Sequence, residues 1–244
     1  MLFSHFFAIA LTALLVSSAA FAGCSHINTD CLEGSGEIVN STLNIGNFTG
    51  IKTVGLMKVY ITQGDVVSLR IKADDNIVSR LEPRVVDGNL TFNDAICYSP
   101  SRPVEVYVTM KHIQHISLNG AGEIIGQSAI ISPKLLLNVN GTGDIRLQIE
   151  TENLETNING SGSVTLKGTA VNVGVNIKGS GNIYSYGLHS VNSNIVVAGS
   201  GSIETTVMNI LDATILGSGD IFYKGSPETI KQTIAGSGTL KKRS

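Results

Sequence analysis

Residues 138–164 read NVNGTGDIRLQIETENLETNINGSGSV and contain two copies of one short motif. The motif is an apolar residue, any residue, Gly, a small residue, Gly, any residue, and then Ile, Val or Leu. It occurs seven times, at successive spacings of 21, 19, 19, 20, 18 and 19 residues. A repeat of this length is typical of solenoids and related arrays. Its glycine pairs are Gly120/Gly122, Gly141/Gly143, Gly160/Gly162, Gly179/Gly181, Gly199/Gly201, Gly217/Gly219 and Gly236/Gly238.

The residues that flank each glycine pair alternate between apolar and polar, which is the period of a strand with one buried face. We interpret each repeat as strand, corner, strand, with both glycines at the corner to supply positive φ or close backbone approach, because glycine has no Cβ. One such unit cannot bury its own apolar face, whereas stacked copies bury a continuous column. The sequence therefore predicts an all-β fold, a β-solenoid with repeats of about 19–20 residues over residues 116–240.

Stacking places equivalent residues of successive repeats in columns. Asn119, Asn140 and Asn159 share one position, which predicts an amide ladder. Glu123 and Asp144 are adjacent in another column and are weak candidates for a shared cation such as calcium, although a solvated polar face is the preferred interpretation. No other metal and no cofactor is predicted. That second column is an outward polar stripe of Glu123, Asp144, Ser163, Asn182, Ser202, Asp220 and Thr239.

Residues 34–110 have the pattern of β-hairpins rather than of repeats. Gln63-Gly64-Asp65 and Asp87-Gly88 each separate two short apolar segments, which predicts a hairpin turn at both places. Residues 74–81 predict one short helix. Because no linker separates this part from the repeats, a single β domain over residues 45–240 is expected.

The N-terminus has the features of an export signal. Residues 7–21 form an apolar run of signal-peptide length, and Ala20-Phe21-Ala22 suits cleavage after Ala22. We predict a signal peptide over residues 1–22 and a leader over residues 23–44. Phe21-Ala22-Gly23-Cys24 also resembles a bacterial lipobox, in which Cys24 is lipidated and becomes the new N-terminus.

The two cleavage modes leave different cysteines for pairing. Lipidation uses Cys24 and leaves Cys31 and Cys97 as a pair in an oxidising compartment. Simple cleavage leaves Cys24 available, so that a Cys24–Cys31 bond with a free Cys97 is the alternative. The sequence alone does not choose between these pairings.

Several segments in a fixed order resemble a known family. They are VYITQGD (59–65), SLRIKADDNI (68–77), LEPRVVDGNLTF (81–92), ISLNGAGEI (116–124) and the serial Gly-Ser-Gly repeats. This order resembles the bacterial "putative auto-transporter adhesin head GIN domain" family over about residues 45–240. The resemblance implies an exported or lipid-anchored protein with a right-handed parallel β-helix, no assigned enzyme activity and no catalytic residues. One departure is Gly55-Leu56-Met57-Lys58, which stands where the family pattern has a Gly-x-Gly corner.

Charge and motifs argue against several function classes. The chain has 17 Lys and Arg against 19 Asp and Glu, a formal net charge of -2, so no basic excess favours nucleic acid. Each glycine pair leads into a strand and lacks the third glycine of a dinucleotide fingerprint. Membrane contact is expected only through a lipid on Cys24, because no later segment is long and apolar enough to span a bilayer.

We therefore expect an exported, non-enzymatic, adhesin-like binding or structural module in the periplasm, outer membrane or cell surface of a Gram-negative bacterium. Its partner would be a protein, a glycan or another envelope polymer, and exposed strand edges would allow homo-oligomers. The alternatives are a self-assembling envelope protein and a β-helical enzyme that acts on polysaccharide. The enzyme rests on analogy of fold and would need Glu123, Asp144, Arg146 and Lys167 to converge in one groove.

Overall fold

Most of the described residues lie in stacked β-strands. The structure is a computed structural model, and it describes residues 31–93, 95 and 97–244. The predicted signal peptide, the first residues of the predicted leader and Cys24 lie outside the described residues.

The described residues form eighteen strands and one helix. In chain order these are β1 (Leu32–Glu33), β2 (Ile38–Leu43), β3 (Gly50–Gly55), β4 (Lys58–Gln63), β5 (Ser68–Asp74), α1 (Asp75–Leu81), β6 (Arg84–Val86), β7 (Asn89–Thr91), β8 (Tyr98–Ser99), β9 (Glu105–Met110), β10 (His115–Gly120), β11 (Glu123–Gly141), β12 (Asp144–Gly160), β13 (Ser163–Gly179), β14 (Asn182–Gly199), β15 (Ser202–Gly217), β16 (Asp220–Lys224), β17 (Thr229–Gly236) and β18 (Thr239–Lys242).

The repeats stack as parallel strands in the predicted register. From β10 onward each strand pairs in parallel with the equivalent segment of the next repeat. The strands β11 to β15 each run for 16 to 19 residues and cover almost one whole repeat. The predicted all-β solenoid is confirmed. The first glycine of each pair forms one column, through Gly120, Gly141, Gly160, Gly179, Gly199, Gly217 and Gly236.

The first glycine of each pair is required by the backbone. Gly160 has φ +132°, in the region that side-chain-bearing residues rarely adopt. A Cβ added at Gly160 would also overlap the carbonyl oxygen of Gly141 in the layer before it. This position therefore excludes any side chain for two separate reasons.

The second glycine of each pair is required for only one of these reasons. None of the second glycines has positive φ, so the expectation of a left-handed backbone applies to the first glycine alone. Each is buried, and an added Cβ would overlap the backbone of the preceding layer. At most of these glycines it would also overlap an apolar side chain. Close packing between layers is thus what excludes a side chain at Gly122, Gly143, Gly162, Gly181, Gly201, Gly219 and Gly238.

The strands β3 and β4 form a layer of the solenoid outside the repeat region of the sequence. Gly55 at the end of β3 pairs with Gly120, and Lys58 at the start of β4 pairs with Glu123. Met57 consequently takes the place of the second corner glycine, where it is fully buried, while Leu56 is 60% exposed. The departure from the Gly-x-Gly pattern thus preserves the register and changes only what fills the corner.

One of the two predicted hairpins is wrong. The strands β4 and β5, on either side of Gln63-Gly64-Asp65, do not pair with each other, because β9 lies between them. The strand β9 pairs in parallel with β4 and in antiparallel with β5, and its Val106 and Val108 are buried. A parallel strand extends the stack of the solenoid, which a hairpin partner of β4 could not do.

The second predicted hairpin is confirmed. The strands β6 and β7 pair in antiparallel across Asp87-Gly88. Asp87 has φ +48° and Gly88 has φ +72°, which is the pattern of the tight turns that favour Asp-Gly. The predicted helix is also present as α1, and its buried residues Ile77 and Leu81 pack into the core.

A buried carboxylate and a disulfide connect residues 31–36 with β5 and with residues 97–101. Asp74 accepts hydrogen bonds from the Ser101 hydroxyl (2.6 Å), the Ser101 backbone N–H (3.0 Å) and the Gly36 backbone N–H (2.8 Å). These bonds, led by that of the Ser101 hydroxyl, lower the pKa of Asp74.

Cys31 and Cys97 are joined by a disulfide with a Cα–Cα distance of 4.6 Å. Residues 32–43 of the predicted leader therefore belong to the folded part as β1 and β2.

Two buried side-chain oxygens have no hydrogen-bond partner among the described residues, the hydroxyls of Tyr98 and Thr156. Thr156 is fully buried in a column between Leu137 and Val175, and its hydroxyl has no hydrogen-bond partner among the described residues. Burying a hydroxyl without a partner costs free energy, because its hydrogen bonds to water are not replaced.

Thr156→Val is expected to raise the free energy of unfolding by about 1 kcal/mol, since valine keeps the shape and removes the unpaired hydroxyl. Urea denaturation followed by circular dichroism measures the change. Thr53→Val is the matched control, because the hydroxyl of this buried threonine donates to the carbonyl oxygen of Ser117 (3.4 Å). Equal effects of the two substitutions would contradict the explanation.

Candidate functional site: an asparagine-lined groove

One face of the solenoid carries a groove of about 400 Å³ that crosses β12, β13 and β14. Its volume lies within the range of ligand sites in proteins, about 300–1,000 Å³. Two oppositely charged side chains, Lys134 and Glu155, contribute to its walls. Most of the remaining polar lining is amide, from Asn153, Asn157, Asn172, Asn176 and Asn194. We call this feature the asparagine groove.

The amides on one side of the asparagine groove form a ladder along the solenoid. The Nδ2 of Asn172 donates to the Oδ1 of Asn153 (3.1 Å), and the Nδ2 of Asn192 donates to the Oδ1 of Asn172 (3.1 Å). Asn209 extends the series by donating to Asn192 (3.3 Å). Asn172 and Asn192 are thereby held in one orientation by bonds to the layers on both sides.

The opposite side of the groove has a second amide column. The Nδ2 of Asn157 donates to the Oδ1 of Asn138 (3.1 Å), and Asn176 follows in the next layer. The ladder predicted from the sequence lies two residues further along each strand, where Asn140 donates to Asn119 (2.8 Å) and Asn159 donates to Asn140 (2.9 Å). Sequence reasoning missed the two ladders of the groove, although their asparagines recur at the same period.

A glycine interrupts the column of side chains between the two amide columns. Glu155, Gly174 and Asn194 pair successively in β12, β13 and β14, so Gly174 leaves a gap between two larger residues. A Cβ added at Gly174 would meet only the carbonyl oxygen of Leu154, at an ordinary contact distance of 3.8 Å. Its φ also lies outside the left-handed region. Unlike a corner glycine, Gly174 is not required by the backbone.

The second amide column continues into a histidine. The Nδ2 of Asn138 donates to Nε2 of His115 (3.1 Å), and Nδ1 of His115 donates to Oδ1 of Asn89 (2.9 Å). Both bonds require the neutral imidazole, because Nε2 must accept. Burial lowers the pKa of His115, and nearby Lys52 lowers it further. The column therefore connects the groove to the β7 hairpin through a neutral ring.

Because the pKa of His115 is lowered on folding, the unfolded chain binds more protons than the folded one as the pH falls through 6.5, the ordinary value. The free energy of unfolding should therefore fall between pH 7 and pH 5. The free energy of unfolding should change less steeply with pH in His115→Asn. Urea denaturation at several pH values measures this slope in both proteins. The other histidines are common to both proteins, so an unchanged slope would show that His115 does not contribute.

Glu123 and Asp144, at one end of the polar stripe, belong to a network of ion pairs rather than to a carboxylate cluster. Glu123 pairs with Lys58 (3.1 Å) and with Arg146, and Arg146 also contacts Asp144 (3.4 Å). The hydroxyl of Ser163 donates to Asp144. The described part of the chain contains no group of three or more His, Cys, Asp or Glu side chains arranged to hold a metal ion.

Only three of the four residues that the enzyme alternative requires lie close together. Glu123, Asp144 and Arg146 meet in the ion-pair network, whereas Lys167 is exposed further along β13, opposite Gln148 of the preceding layer. The network belongs to the polar stripe, and its residues do not line the asparagine groove. Surface ion pairs of this kind contribute little to stability, with a median of about 0–1 kcal/mol.

The fold and the groove define a class of protein: a parallel β-solenoid, with antiparallel strands and a short helix at the end opposite β18 and an amide-lined groove on one face. Its described residues include no helix that is long and apolar enough to cross a membrane. A family model described as "Putative auto-transporter adhesin, head GIN domain" matches residues 47–227, and the chain belongs to this family. The predicted resemblance is confirmed.

Solved structures of similar proteins support the same fold. A "putative adhesin" from Bacteroides fragilis is 25% identical with a TM-score of 0.81, over 87% of this chain and 100% of that chain. A "putative lipid binding protein" from Parabacteroides distasonis is 25% identical with a TM-score of 0.73, over 87% and 99%. A "putative adhesin" from Parabacteroides merdae shares the fold at 23% identity and a TM-score of 0.70, over 88% and 100%. A search of curated proteins found no match.

Proposed function

We propose that this protein is an exported bacterial adhesin-like module that binds an envelope or surface polymer along the asparagine groove and catalyses no reaction. The observation that carries the proposal is the groove itself, where the amides of Asn153, Asn157 and Asn172 are fixed by hydrogen bonds to amides of neighbouring layers. Side chains that are already ordered lose little conformational entropy when a ligand binds, which favours recognition.

The distribution of charged groups favours binding over catalysis. General acid–base chemistry needs titratable groups free to exchange protons with a substrate. Glu123 and Asp144 are paired with cations, and Glu105 is paired with Lys72 (3.0 Å), which lowers the pKa of Glu105 together with a hydrogen bond from Tyr107. In the groove Glu155 accepts a hydrogen bond from the Nδ2 of Asn157 (3.4 Å), so positioning of a ligand is the role that fits it.

Binding is tested by retention of the full chain on purified envelope fractions: peptidoglycan, lipopolysaccharide and outer-membrane protein. We expect retention on at least one fraction and its loss in Asn176→Arg, because a long cationic side chain would occupy the groove. The control is Thr169→Arg, which introduces the same side chain at an exposed position of β13 outside the groove. Retention on no fraction, or equal retention of both variants, would refute the proposal.

Export is proposed from the apolar run at residues 7–21 and from the adhesin family to which the chain belongs. Intact mass and membrane fractionation of the natively expressed protein, with Cys24→Ala alongside, distinguish the two mature forms. A chain that begins at Cys24 with added acyl mass, lost in the variant, indicates an anchored lipoprotein. A soluble chain that begins at Gly23 indicates a free periplasmic or secreted module, and an uncleaved cytoplasmic chain refutes export.

A further inference from the structure

Gly174 lies in the middle of β13, and the fold does not require a glycine at this position. Glycine in a strand interior is about 0.5–1 kcal/mol less favourable than alanine, and a common reason for keeping it is the close approach of a ligand. At Gly174 neither φ nor the surroundings of an added Cβ gives a structural reason. The gap that it leaves lies at the centre of the asparagine groove, between Glu155 and Asn194.

We infer that the gap at Gly174 is a subsite for an uncharged, hydroxyl-rich chain, that is, a neutral polysaccharide. This inference rests on the proposed binding function and specifies its ligand and the position where that ligand approaches the backbone. The remaining hydrogen-bonding capacity and the charge of the groove determine the class of ligand.

The two amides inside the first ladder, Asn172 and Asn192, each leave one donor and one acceptor free. An asparagine amide has two N–H donors and two acceptor lone pairs. Asn172 uses one donor toward Asn153 and one lone pair toward Asn192, so one N–H and one lone pair remain for a ligand. A hydroxyl group is both donor and acceptor and can satisfy both. A phosphate or carboxylate only accepts and an ammonium only donates, so either would leave half of these groups unpaired.

The charge of the groove also favours a neutral ligand. Its lining contains one carboxylate, Glu155, and one ammonium group, Lys134, which offset each other. Protein–protein interfaces are usually centred on aromatic and arginine side chains, which tend to pair with similar residues of the partner. The described residues that line the groove include no aromatic residue and no arginine, so a polysaccharide suits it better than a protein surface.

The repetition of the site indicates a polymer. One amide recurs in four successive layers, at Asn153, Asn172, Asn192 and Asn209, about 4.8 Å apart, the spacing of neighbouring strands. A chain that lies along the solenoid would meet an equivalent donor and acceptor at each layer, whereas a single small molecule would use only one or two. The gap at Gly174 would then accept the part of the chain that approaches the backbone most closely.

The test is affinity electrophoresis of the full chain through native gels that contain dextran, laminarin, xylan or galactomannan, with polygalacturonate and heparin as charged polymers. We expect at least one neutral polysaccharide to retard the protein. Gly174→Gln should weaken that interaction at least tenfold by filling the gap. Asn176→Ala should weaken it about fivefold, as expected for one lost hydrogen bond.

Two controls separate binding from folding. Gly46→Gln adds the same side chain at a glycine where a Cβ meets nothing within 4 Å, and it should leave retardation unchanged. Gly174→Gln should also unfold at the same urea concentration as the unmodified protein or a higher one, since the backbone does not require glycine there.

Each outcome decides the inference. Retardation only by the charged polymers would overturn the ligand class, and neutral retardation that persists in Gly174→Gln would overturn the site. Retardation by no polysaccharide would overturn the inference as a whole. In that case retention on outer-membrane protein, lost in Asn176→Arg, would preserve the proposed binding function and assign a protein partner to the groove.

Discussion

Gly160→Ala is expected to lower the free energy of unfolding by about 3 kcal/mol or more. A side chain at φ +132° is strained by roughly 1–2 kcal/mol, and overlap of its Cβ with the Gly141 carbonyl adds about 1–3 kcal/mol. The carbonyl belongs to the backbone of the preceding layer, so relief of the overlap would have to separate two layers. Urea denaturation followed by circular dichroism measures the loss.

Gly174→Ala is the matched comparison, because both glycines lie in the same stack of strands. Here the added methyl group fits and φ is ordinary, so we expect a gain of about 0.5 kcal/mol from the reduced entropy of the unfolded chain. Similar losses at Gly160 and Gly174 would show that the solenoid tolerates no side chain at any glycine. The distinction between corner glycines and the groove glycine would then be wrong.

Removal of the Cys31–Cys97 disulfide is expected to destabilise the protein by about 4 kcal/mol, because the bond closes a loop across 66 positions of sequence and restricts the unfolded chain. Urea denaturation with and without reductant, and of the double variant Cys31→Ser with Cys97→Ser, measures this contribution. The double variant should match the reduced protein and should not respond to reductant.

The location of the bond also predicts where the effect appears. Cys31 and Cys97 lie next to β1 and β8, which pair with each other, so these two strands should lose protection from hydrogen exchange before β12 to β14 do. A midpoint that does not change on reduction would show that the loop is already restricted by other contacts in the unfolded chain.

The sequence by itself determined the stacking of this protein. Glycines at a nearly constant period fix the register, because the corner residue of each layer lies against a backbone carbonyl of the layer before it, as Gly160 lies against Gly141, and leaves no space for a Cβ. The alternation of apolar and polar residues fixes which side of each strand faces the core. From these two facts the all-β solenoid, the outward polar stripe and the ladder of Asn119, Asn140 and Asn159 could all be predicted.

The same alternation could not determine the pairing before the repeats. It states which face of β4, β5 and β9 is buried, and all three strands have that pattern, but it does not state which strands are neighbours. The turn at Gln63-Gly64-Asp65 suggested a local hairpin, whereas burial of Val106 and Val108 placed β9 between its two strands. A contact between distant segments therefore prevailed over a local turn.

The asparagine groove could be recognised only from the tertiary structure. In the sequence Gly174 is one glycine among 27, and its position outside the Gly-x-Gly pairs says nothing about its surroundings. Only the tertiary structure shows that the corners exclude a Cβ while Gly174 would accept one. The physical reason is that a glycine's role is set by what lies beside it in the neighbouring layer, and that neighbour is about 19 residues away in the chain.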